Sequence, residues 1–589
     1  MERSSYQEGA VMLTLAEGGR ARLPIVVSAT ASPPERHAAE ELARFLHAIS
    51  GAEFPILSPN ADRNGPSIAV GADAALAVGL APYEFEGLGE EGIRIRTLGS
   101  EHLVLTGAPH APRGTLYAVY SFLEDVLGCR WWSSKASTIP RRETLAIPPL
   151  DVRYVPPLEY RESFWYDAFD GDWAVRNKSN GHSVRTDAAR GGHHVYKGFV
   201  HTFYPLVPPE RHFAEHPEWY SEINGERTYE RAQLCLTNEE LLQFVIERVK
   251  EWIRESPEAT IVSVSQNDWH GYCTCERCRA VDEEEGSHAG TLLRFVNAVA
   301  EAIEEEFPHV AIDTLAYQYT RKPPQKVRPR HNVIVRLCSI ECNFLEPLTH
   351  ESNRSFREDI EGWSKICNRL YIWDYTTNFR NYVLPHPNYY VLGENIRFFV
   401  RHGVKGIFEQ GAYQSYGSEM AELRAWVLAK LLWRPELDDR ELIAEFLEGY
   451  YGPAAPHIEA YMKRVYRSAK ERGIYLRCFV PHDAPFLTAD LLLELTRHLE
   501  AAEQAVWNDP ERRPRVQVAK LAVWYPILLR WEEVRQRAAQ TGQGWLLPED
   551  RIAAFEAFAR IYQEHGMTHL AEHRERNLDW LRSQCQGES

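Results

Sequence analysis

The chain has 589 residues, which is too long for one domain of roughly 100–200 residues, and we expect about three domains. Hydrophobic residues make up 44% and charged residues 25%, which excludes a disordered or fibrous chain. The 83 acidic residues outnumber the 66 basic ones, and the net charge of −17 disfavours nucleic acid or an anionic membrane surface as a partner.

The compartment is inferred from what the sequence lacks. The first residues show no basic region followed by an apolar one, and no stretch approaches the roughly 18 apolar residues of a membrane span. The 10 cysteines of this long chain do not resemble a disulfide scaffold. We therefore expect a cytoplasmic protein with reduced thiols and no membrane partner. The sequence predicts no particular oligomeric state.

Residues 1–150 are predicted to form a small α/β accessory domain. Apolar residues at helical spacing predict a helix at Pro33–Ser50, ended by Gly51, and a second helix at Arg113–Leu127. Alternating patterns predict strands at Val11–Ala16, Pro24–Ser28 and Ser67–Gly71, and a hairpin formed by Glu91–Leu98 and His102–Gly107. This segment contains no cluster of candidate catalytic residues.

Residues 151–417 are predicted to form a (β/α)8 barrel, and residues 418–589 an all-helical domain, so the fold class is α/β. The barrel strands are predicted at Leu158–Trp165, Tyr196–His201, Gln233–Leu236, Ile261–Ser265, Ala311–Ala316, Asn332–Leu337, Leu370–Trp373 and Val404–Phe408. Helices of the barrel are predicted at Asn238–Glu255, Ala289–Phe307, Arg354–Ile366 and Val391–His402. Helices of the last domain are predicted at Glu419–Trp433, Asp439–Tyr451, Ala455–Arg472, Ala489–Trp507, Glu511–Ala539 and Pro548–His565.

Candidate catalytic residues are expected at the carboxyl ends of the barrel strands. Four carboxylates follow predicted strands there: Asp268, Glu341, Asp374 and Glu409. Acid–base cleavage of a glycosidic bond requires a carboxylic acid and a carboxylate about 5–9.5 Å apart, and this pattern supplies such pairs. A carboxylate after a strand can equally cap a helix or form an ion pair, so each residue has a structural alternative.

Candidate substrate-binding residues accompany these carboxylates. Aromatic rings stack on the apolar faces of sugars, and polar side chains orient the hydroxyls. The residues predicted to bind an oligosaccharide are Arg161, His201, Asn267, Trp269, Tyr317, Trp373, Tyr375 and Gln410. Trp269 and Trp373 could equally belong to the core at the barrel rim.

Three clustered cysteines, Cys273, Cys275 and Cys278, suggest a metal site. They can meet one structural zinc, with His270, Asp282 or Cys342 as the fourth ligand. A second Cys-x-x-Cys motif is missing, so free thiols or a local disulfide are the alternatives. No cofactor is predicted to be required for catalysis.

Several motifs resemble one bacterial family. They are His201-Thr-Phe-Tyr, His216-Pro-Glu-Trp-Tyr, Leu234-Cys-Leu-Thr-Asn238, Val264-Ser-Gln-Asn-Asp268, Arg336-Leu-Cys-Ser-Ile-Glu-Cys342, Tyr371-Ile-Trp-Asp-Tyr-Thr-Thr-Asn-Phe379 and Gly406-Ile-Phe-Glu-Gln-Gly411. These segments are similar to glycoside hydrolase family 163, formerly described only as a domain of unknown function. The resemblance implies endo-β-N-acetylglucosaminidase action on complex N-glycans. The segment from Gly107 to Glu124 resembles the accessory domain of α-glucuronidases and hexosaminidases.

The first hypothesis is therefore a glycoside hydrolase acting on N-glycan-like oligosaccharides, with Asp268 as the acid and Asn267 bound to a sugar substituent. If a 2-acetamido group of the substrate is the nucleophile, Asn267 or Asp268 orients it and Glu341 or Glu409 is the acid. If the mechanism is direct, Glu341, Asp374 and Glu409 compete for the role of base or nucleophile.

Three alternatives stay open. One is an α-glucuronidase-like hydrolase in which Arg161 and Lys197 meet a uronate. Another is a catalytically inactive protein that uses the barrel as a carbohydrate receptor. The last is a metal–thiolate protein with the cysteine cluster as its active centre.

Overall fold

A computed structural model describes residues 12–58 and 65–587 and divides the chain into two compact units. The first unit comprises the described residues up to Pro157, together with Asp167–His193 and Glu448–Tyr450. The second comprises Leu158–Tyr166, His194–Leu447 and the described residues from Tyr451 onward. Val11, where the first strand is predicted to begin, lies outside the described residues.

The first unit is built on a mixed six-stranded sheet. Its strands are, in spatial order, Asp151–Tyr154, Ile93–Leu98, His102–Thr106, Ser67–Val70, Ile25–Val27 and Ile56–Leu57. Smaller sheets are formed by Leu145–Ile147, Leu13–Glu17 and Arg20–Ala21, and by Arg130–Ser133 and Ala136–Thr138. Its helices are Pro33–Ser50, Ala72–Ala77, Gly114–Ser121 with a π-helical continuation at Phe122–Val126, and Gly171–Arg176.

The first predicted helix and the predicted hairpin are confirmed. Pro33–Ser50 begins at a capping box in which Ser32 and Glu35 satisfy each other's backbone N–H groups. The helix ends at Gly51, whose φ of 73° is a left-handed conformation that glycine adopts without a steric penalty. Ile93–Leu98 and His102–Thr106 pair antiparallel, as their alternating patterns predict.

The second unit is built on a curled sheet of seven parallel strands, which confirms the predicted fold class. The strands are β1 (Tyr160–Phe164), β2 (Tyr196–Lys197), β3 (Ile261–Ser263), β4 (Ala311–Ala316), β5 (Val333–Cys338), β6 (Leu370–Tyr375) and β7 (Gly406–Gln410). Their spatial order is β1-β7-β6-β5-β4-β3-β2, so the last strand returns to pair with the first. At the two ends of this order, the Tyr160 and Tyr196 rings meet at 6.2 Å.

The predicted third barrel strand, Gln233–Leu236, is wrong, so the sheet has seven strands instead of eight. Leu234 forms only an isolated bridge to Tyr220. The backbone N–H of Gln233 donates instead to the carbonyl of Gly271, at 3.0 Å. The segment is as buried as a barrel strand, and its apolar residues therefore resemble those of a strand. Its backbone hydrogen bonds, however, are made with a loop and not with a neighbouring strand.

The interior of the barrel contains a charged layer below the strand ends. Arg336 of β5 and Asp313 of β4 are fully buried, with Nη2 of the guanidinium 3.3 Å from a carboxylate oxygen. The guanidinium also lies 4.6 Å from the Phe199 ring centroid and 5.7 Å from that of Trp373. Burial raises the pKa of Asp313 to about 6, although Arg336 and Ser263 act in the opposite direction.

Helices surround the sheet and continue to the end of the described chain. The longer ones are Glu239–Glu255, Glu276–Glu285, His288–Glu304, Arg354–Ser364, Leu392–Arg401, Ala421–Trp433, Asp439–Tyr451, Ala455–Glu471, Ala489–Ala505, Arg512–Leu529, Trp531–Thr541, Arg551–Glu564 and Leu578–Gln586. One predicted helix, Glu511–Ala539, is in fact two helices that break at Arg530. Within the described ranges, no helix combines the length and the apolar character needed to cross a bilayer.

Candidate functional site

A cleft opens at the carboxyl ends of the barrel strands, where the chemistry of this fold is expected. Its cavity volume is about 270 Å³, near the lower end of the range for small-molecule sites. The residues that line it are Val200, His201, Asp268, Leu315, Tyr317, Cys338, Ile340, Trp373, Tyr375, Phe379, Gln410, Tyr413, Phe479 and Glu572. Six of these side chains are Trp, Tyr or Phe, and two are carboxylates.

The first carboxylate, Asp268, lies in the loop after β3 and is held by its neighbours. The hydroxyl of Tyr317, just past β4, donates to Asp268 Oδ1 at 3.0 Å. Burial and the Asp268 charge both raise the pKa of Tyr317 far above its usual value, so the phenol stays a neutral donor. Nε2 of His201 lies 3.8 Å from the same carboxylate oxygen. Asp268 itself is largely exposed to the cleft, with a relative side-chain exposure of 61%.

The backbone is strained beside this carboxylate. His201 has a φ of 55° and Gln318, next to Tyr317, has a φ of 52°, both in the left-handed region that non-glycine residues rarely adopt. Nδ1 of His201 lies 2.7 Å from the carbonyl oxygen of Gln266, which can only accept, so Nδ1 carries the proton. The imidazole therefore presents Nε2 to the cleft and to Asp268.

The second carboxylate of the cleft, Glu572, comes from the C-terminal part of the chain. The hydroxyl of Tyr413 donates to Glu572 Oε1 at 3.2 Å. Burial raises the pKa of Glu572, the negative charge of Asp268 adds to this rise, and the Tyr413 hydrogen bond opposes it. The cleft thus contains two carboxyl groups in different environments, and the charge of Asp268 acts on Glu572.

Backbone hydrogen bonds fix Glu572 against loops that follow β6 and β7. Its N–H donates to the carbonyl of Phe379 at 2.9 Å, and its carbonyl accepts from Gln414 Nε2 at 3.3 Å. Tyr382 strengthens the contact, since its N–H donates to the carbonyl of Leu570 at 2.8 Å. These bonds place a residue far along the chain at the barrel mouth.

Asp374 and Glu409, two predicted catalytic residues, do not line the cleft. Both strands extend two residues beyond their predicted ends, so these side chains belong to β6 and β7 and not to the loops after them. Since side chains alternate along a strand, Trp373 and Gln410 face the cleft while Asp374 and Glu409 point to the opposite face of the sheet.

Asp374 and Glu409 form a buried pair on that outer face. They are register partners across the two strands, and Ser339 Oγ donates to Asp374 Oδ1 at 2.6 Å. Burial raises the pKa of both groups, and the neighbouring Asp374 raises that of Glu409 further. Among the described residues, no group other than Asp374 meets the carboxyl oxygens of Glu409, so a proton shared with Asp374 satisfies the pair.

Glu341, the fourth predicted catalytic residue, lies in a neighbouring pocket lined by Arg321, Asp359 and Tyr475. Nη1 of Arg321 approaches Glu341 Oε2 at 3.2 Å, and its Nε approaches Asp359 Oδ2 at 2.5 Å. This arrangement makes Glu341 one member of an ion-pair network beside the cleft.

Three predicted substrate-binding residues have structural contacts instead. Arg161 is fully buried, donates to the carbonyl of Leu158 at 2.7 Å and lies 5.3 Å from the Trp433 ring centroid. Both Asn267 Nδ2 and Trp269 Nε1 donate to the carbonyl of Ala232, at 3.0 Å and 2.7 Å. The last two residues therefore shape the loop that carries Asp268.

The other predicted residues come together in the cleft: His201, Asp268, Tyr317, Trp373, Tyr375 and Gln410. Trp373 Nε1 donates to Gln410 Oε1 at 2.8 Å, which fixes the orientation of the Gln410 amide. Sequence reasoning missed Glu572 and Tyr413. Tyr413 follows β7 by three residues and could have been included by position, whereas no local pattern marks Glu572.

The predicted cluster of three cysteines has a fourth member, Cys235, which was not among the predicted ligands. The Sγ atoms of Cys235, Cys273, Cys275 and Cys278 all lie within 4.8 Å of one another, and all four residues are buried. His270, Asp282 and Cys342, the three predicted alternatives for the fourth ligand, lie outside this group. The four thiols are the residues of this region best suited to hold a metal ion.

Comparisons with known proteins find solved structures that are similar in fold. The solved structure of a family GH115 4-O-methyl-α-glucuronidase with specificity for decorated arabinogalactans is 14% identical, with a TM-score of 0.55 over 94% of this chain and 77% of that one. A family 89 glycoside hydrolase from Clostridium perfringens is 11% identical, with a TM-score of 0.48, over 90% of this chain and 65% of that one.

A GH138 enzyme targeting pectin rhamnogalacturonan II is 10% identical, with a TM-score of 0.46, over 96% of this chain and 98% of that one. No curated protein matches the chain in sequence. A family model described as a domain of unknown function, DUF4838, matches residues 131–463, which is more than half of the chain. The chain therefore belongs to the DUF4838 family.

Proposed function

We propose that the protein is a glycoside hydrolase whose carboxyl pair is Asp268 and Glu572. The observation that carries this proposal is the pair itself: two carboxyl groups facing one aromatic cleft at the strand ends, with unlike surroundings. In such enzymes, different surroundings give the two carboxyl groups different pKa values, so that one acts as the acid and the other as the carboxylate. The raised pKa of Glu572 suits the acid.

In the proposed reaction, Glu572 protonates the oxygen of the departing sugar as the glycosidic bond breaks. The Asp268 carboxylate, which accepts a hydrogen bond from the Tyr317 hydroxyl, stabilises the positive charge that develops on the sugar ring, and water then adds to the anomeric carbon. Trp373 and Tyr375 form a stacked aromatic wall, with ring centroids 6.3 Å apart, against which a sugar face can lie. The fixed Gln410 amide can hydrogen-bond a hydroxyl.

The substrate we propose is a neutral sugar, N-acetylglucosamine, within an N-glycan-like oligosaccharide. Among the described residues that line the cleft, none is arginine or lysine. A uronate would lack the cation it requires, since Arg161 is buried elsewhere and Lys197 is paired with Glu255 at 3.2 Å. The resemblance to family 163 supports N-acetylglucosamine and endo action.

For a 2-acetamido sugar, the acetamido oxygen can itself attack the anomeric carbon as the bond to the leaving oxygen breaks. Water then attacks the same carbon and breaks the new bond, which restores the acetamido group. Asp268 would then accept the amide N–H and orient the group, and Glu572 would still protonate the leaving oxygen. This assignment requires only the two carboxyl groups that share the cleft. It predicts that sugars without the acetamido group are poor substrates.

The test is release of the aglycone from aryl glycosides of N-acetylglucosamine, glucose and glucuronic acid, together with N-glycan fragments, monitored by proton NMR. We expect release from the N-acetylglucosamine substrates, with retention of the anomeric configuration. Asp268→Asn should lower kcat by at least about 100-fold, the lower end of the acid–base contribution.

The matched control is Glu341→Gln, which removes a carboxyl group beside the cleft. We expect turnover to change by less than about threefold, since Glu341 does not line the cleft and a partly exposed ion pair such as Arg321–Glu341 contributes little. Equal losses in both variants would refute the assignment of the pair. Tight oligosaccharide binding by calorimetry, without cleavage of any substrate, would favour a carbohydrate receptor and overturn the proposal.

A further inference from the structure

The four buried cysteines described above have the geometry of a tetrahedral metal site. Cys235 Sγ lies 3.8 Å from both Cys275 Sγ and Cys278 Sγ. In a tetrahedral zinc–thiolate centre with Zn–S bonds of about 2.3 Å, neighbouring sulfurs are about 3.8 Å apart. These distances are much longer than a disulfide bond of about 2.05 Å, and all four thiols are free.

The surroundings of the cluster supply donors for thiolate sulfurs. The backbone N–H of Glu222 donates to Cys273 Sγ at 3.2 Å, and Arg227 Nη1 donates to the same sulfur at 3.6 Å. The Thr237 hydroxyl lies 3.2 Å from Cys278 Sγ. Such contacts orient metal-bound thiolates, and the Arg227 charge partly offsets the two negative charges of a zinc tetrathiolate.

We propose that Cys235, Cys273, Cys275 and Cys278 bind one structural Zn²⁺ ion. Four thiolates fill every position of a tetrahedral site, which leaves none for a substrate or an activated water, so the ion is structural and does not enter the reaction. The site is also buried. The chain supplies the ligands from two separate segments, since Cys235 lies 38 residues before Cys273, and Cys278 lies in the first turn of the helix Glu276–Glu285.

The proposed ion would hold the loop that carries Asp268. The Gln233 side chain, two residues before Cys235, donates to the carbonyls of Asn267, Trp269 and His270, at 3.1, 2.6 and 3.2 Å. Cys273 lies at the other end of the same loop. A metal ion bound by both Cys235 and Cys273 would therefore hold the segment around Gln233 against the loop that carries Asp268. This consequence rests on the proposed function, whereas the metal site does not.

The experiment is metal analysis of the full chain, purified without chelator, by inductively coupled plasma mass spectrometry. We expect one zinc per chain, and well below half of that in Cys235→Ser. Cys367→Ser, which removes a half-buried thiol outside the cluster, is the control and should keep one zinc. Zinc-free protein, bound iron instead of zinc, or full zinc retention in Cys235→Ser would each overturn the proposal.

A second measurement needs no variant and no substrate. Titration of the native protein with a mercurial thiol reagent should release one zinc per chain, detected by a chelating dye, as four thiols react. Replacement by Co²⁺ should give the visible bands of a tetrahedral cobalt–thiolate centre. Absence of both signals would overturn the site, and because neither signal depends on turnover, failure of the glycosidase proposal would leave them unchanged.

Discussion

Replacement of Glu572 by glutamine is the most direct test of the proposed acid. The amide has the same shape as the carboxyl group and can still accept the Tyr413 hydrogen bond, so the wall of the cleft should keep its structure. Only the transferable proton is removed. A positioned general acid contributes about 10²- to 10⁴-fold to the rate, which corresponds to about 3–5 kcal/mol of transition-state stabilisation.

Where the loss of rate falls within that range depends on the leaving group. A departing sugar alkoxide is strongly basic and needs the Glu572 proton, so we expect a loss near 10⁴-fold on oligosaccharides. A dinitrophenolate leaves without protonation, and there the loss should be about 10²-fold or less. The assay is kcat/KM for a series of aryl glycosides with decreasing leaving-group pKa, which should show a much steeper dependence in Glu572→Gln.

The pH profile gives an independent readout. The acid is active when protonated, and burial together with the Asp268 charge raises its pKa, so wild-type activity should fall as the pH rises through that raised value. The variant should lose this alkaline limb. Glu575→Gln, an exposed carboxyl in the same segment, is the control and should behave like wild type. Equal losses for every leaving group would show that Glu572 is not the acid.

Two further predictions concern single contacts. Tyr413→Phe removes a hydrogen bond that lowers the Glu572 pKa, so the alkaline limb of the kcat/KM profile should move to higher pH; an unmoved limb would contradict the role of this bond. Burial raises the pKa of Asp313 to about 6 in the folded chain. The protonated carboxyl group therefore adds up to about 3 kcal/mol to the free energy of unfolding below about pH 4, and this contribution is lost as the pH rises through 6. Asp313→Asn should remove this pH dependence of the free energy of unfolding, measured with urea. If the free energies of wild type and variant differed by the same amount at every pH between 4 and 7, the prediction would be refuted.

The elements with strong periodicity could be predicted from the sequence. Pro33–Ser50 has both an apolar stripe and recognisable capping residues, and the structure reproduces its bounds. Gln233–Leu236 failed because burial alone made it resemble a strand. Its backbone bonds to Gly271 and Trp219 are long-range contacts, and a local pattern contains no information about them.

The residues of the candidate site could be predicted only as accurately as the ends of the strands that carry them. An error of two residues at the end of β6 and β7 assigned Asp374 and Glu409 to loops, where their side chains would be free to turn toward the cleft. Inside a strand, side chains alternate between the two faces of the sheet, and this alternation places both carboxyl groups on the outer face. His201 and Asp268 were predicted to lie at the cleft, and they do.

The position of Glu572 shows why the second carboxyl group lay beyond sequence reasoning, and why the fold benefits from placing it there. The strand ends supply Asp268 together with the Tyr317 hydroxyl, which donates to its carboxyl group. An acid needs the opposite environment, with partial burial and few donors. The C-terminal segment provides this, because backbone bonds to Phe379 and Gln414 fix Glu572 in place. Its carboxyl group accepts a hydrogen bond from the Tyr413 hydroxyl and experiences the repulsive charge of Asp268. Asp374 and Glu409, on adjacent strands, lack this contrast in exposure, because both are buried and burial raises the pKa of both groups.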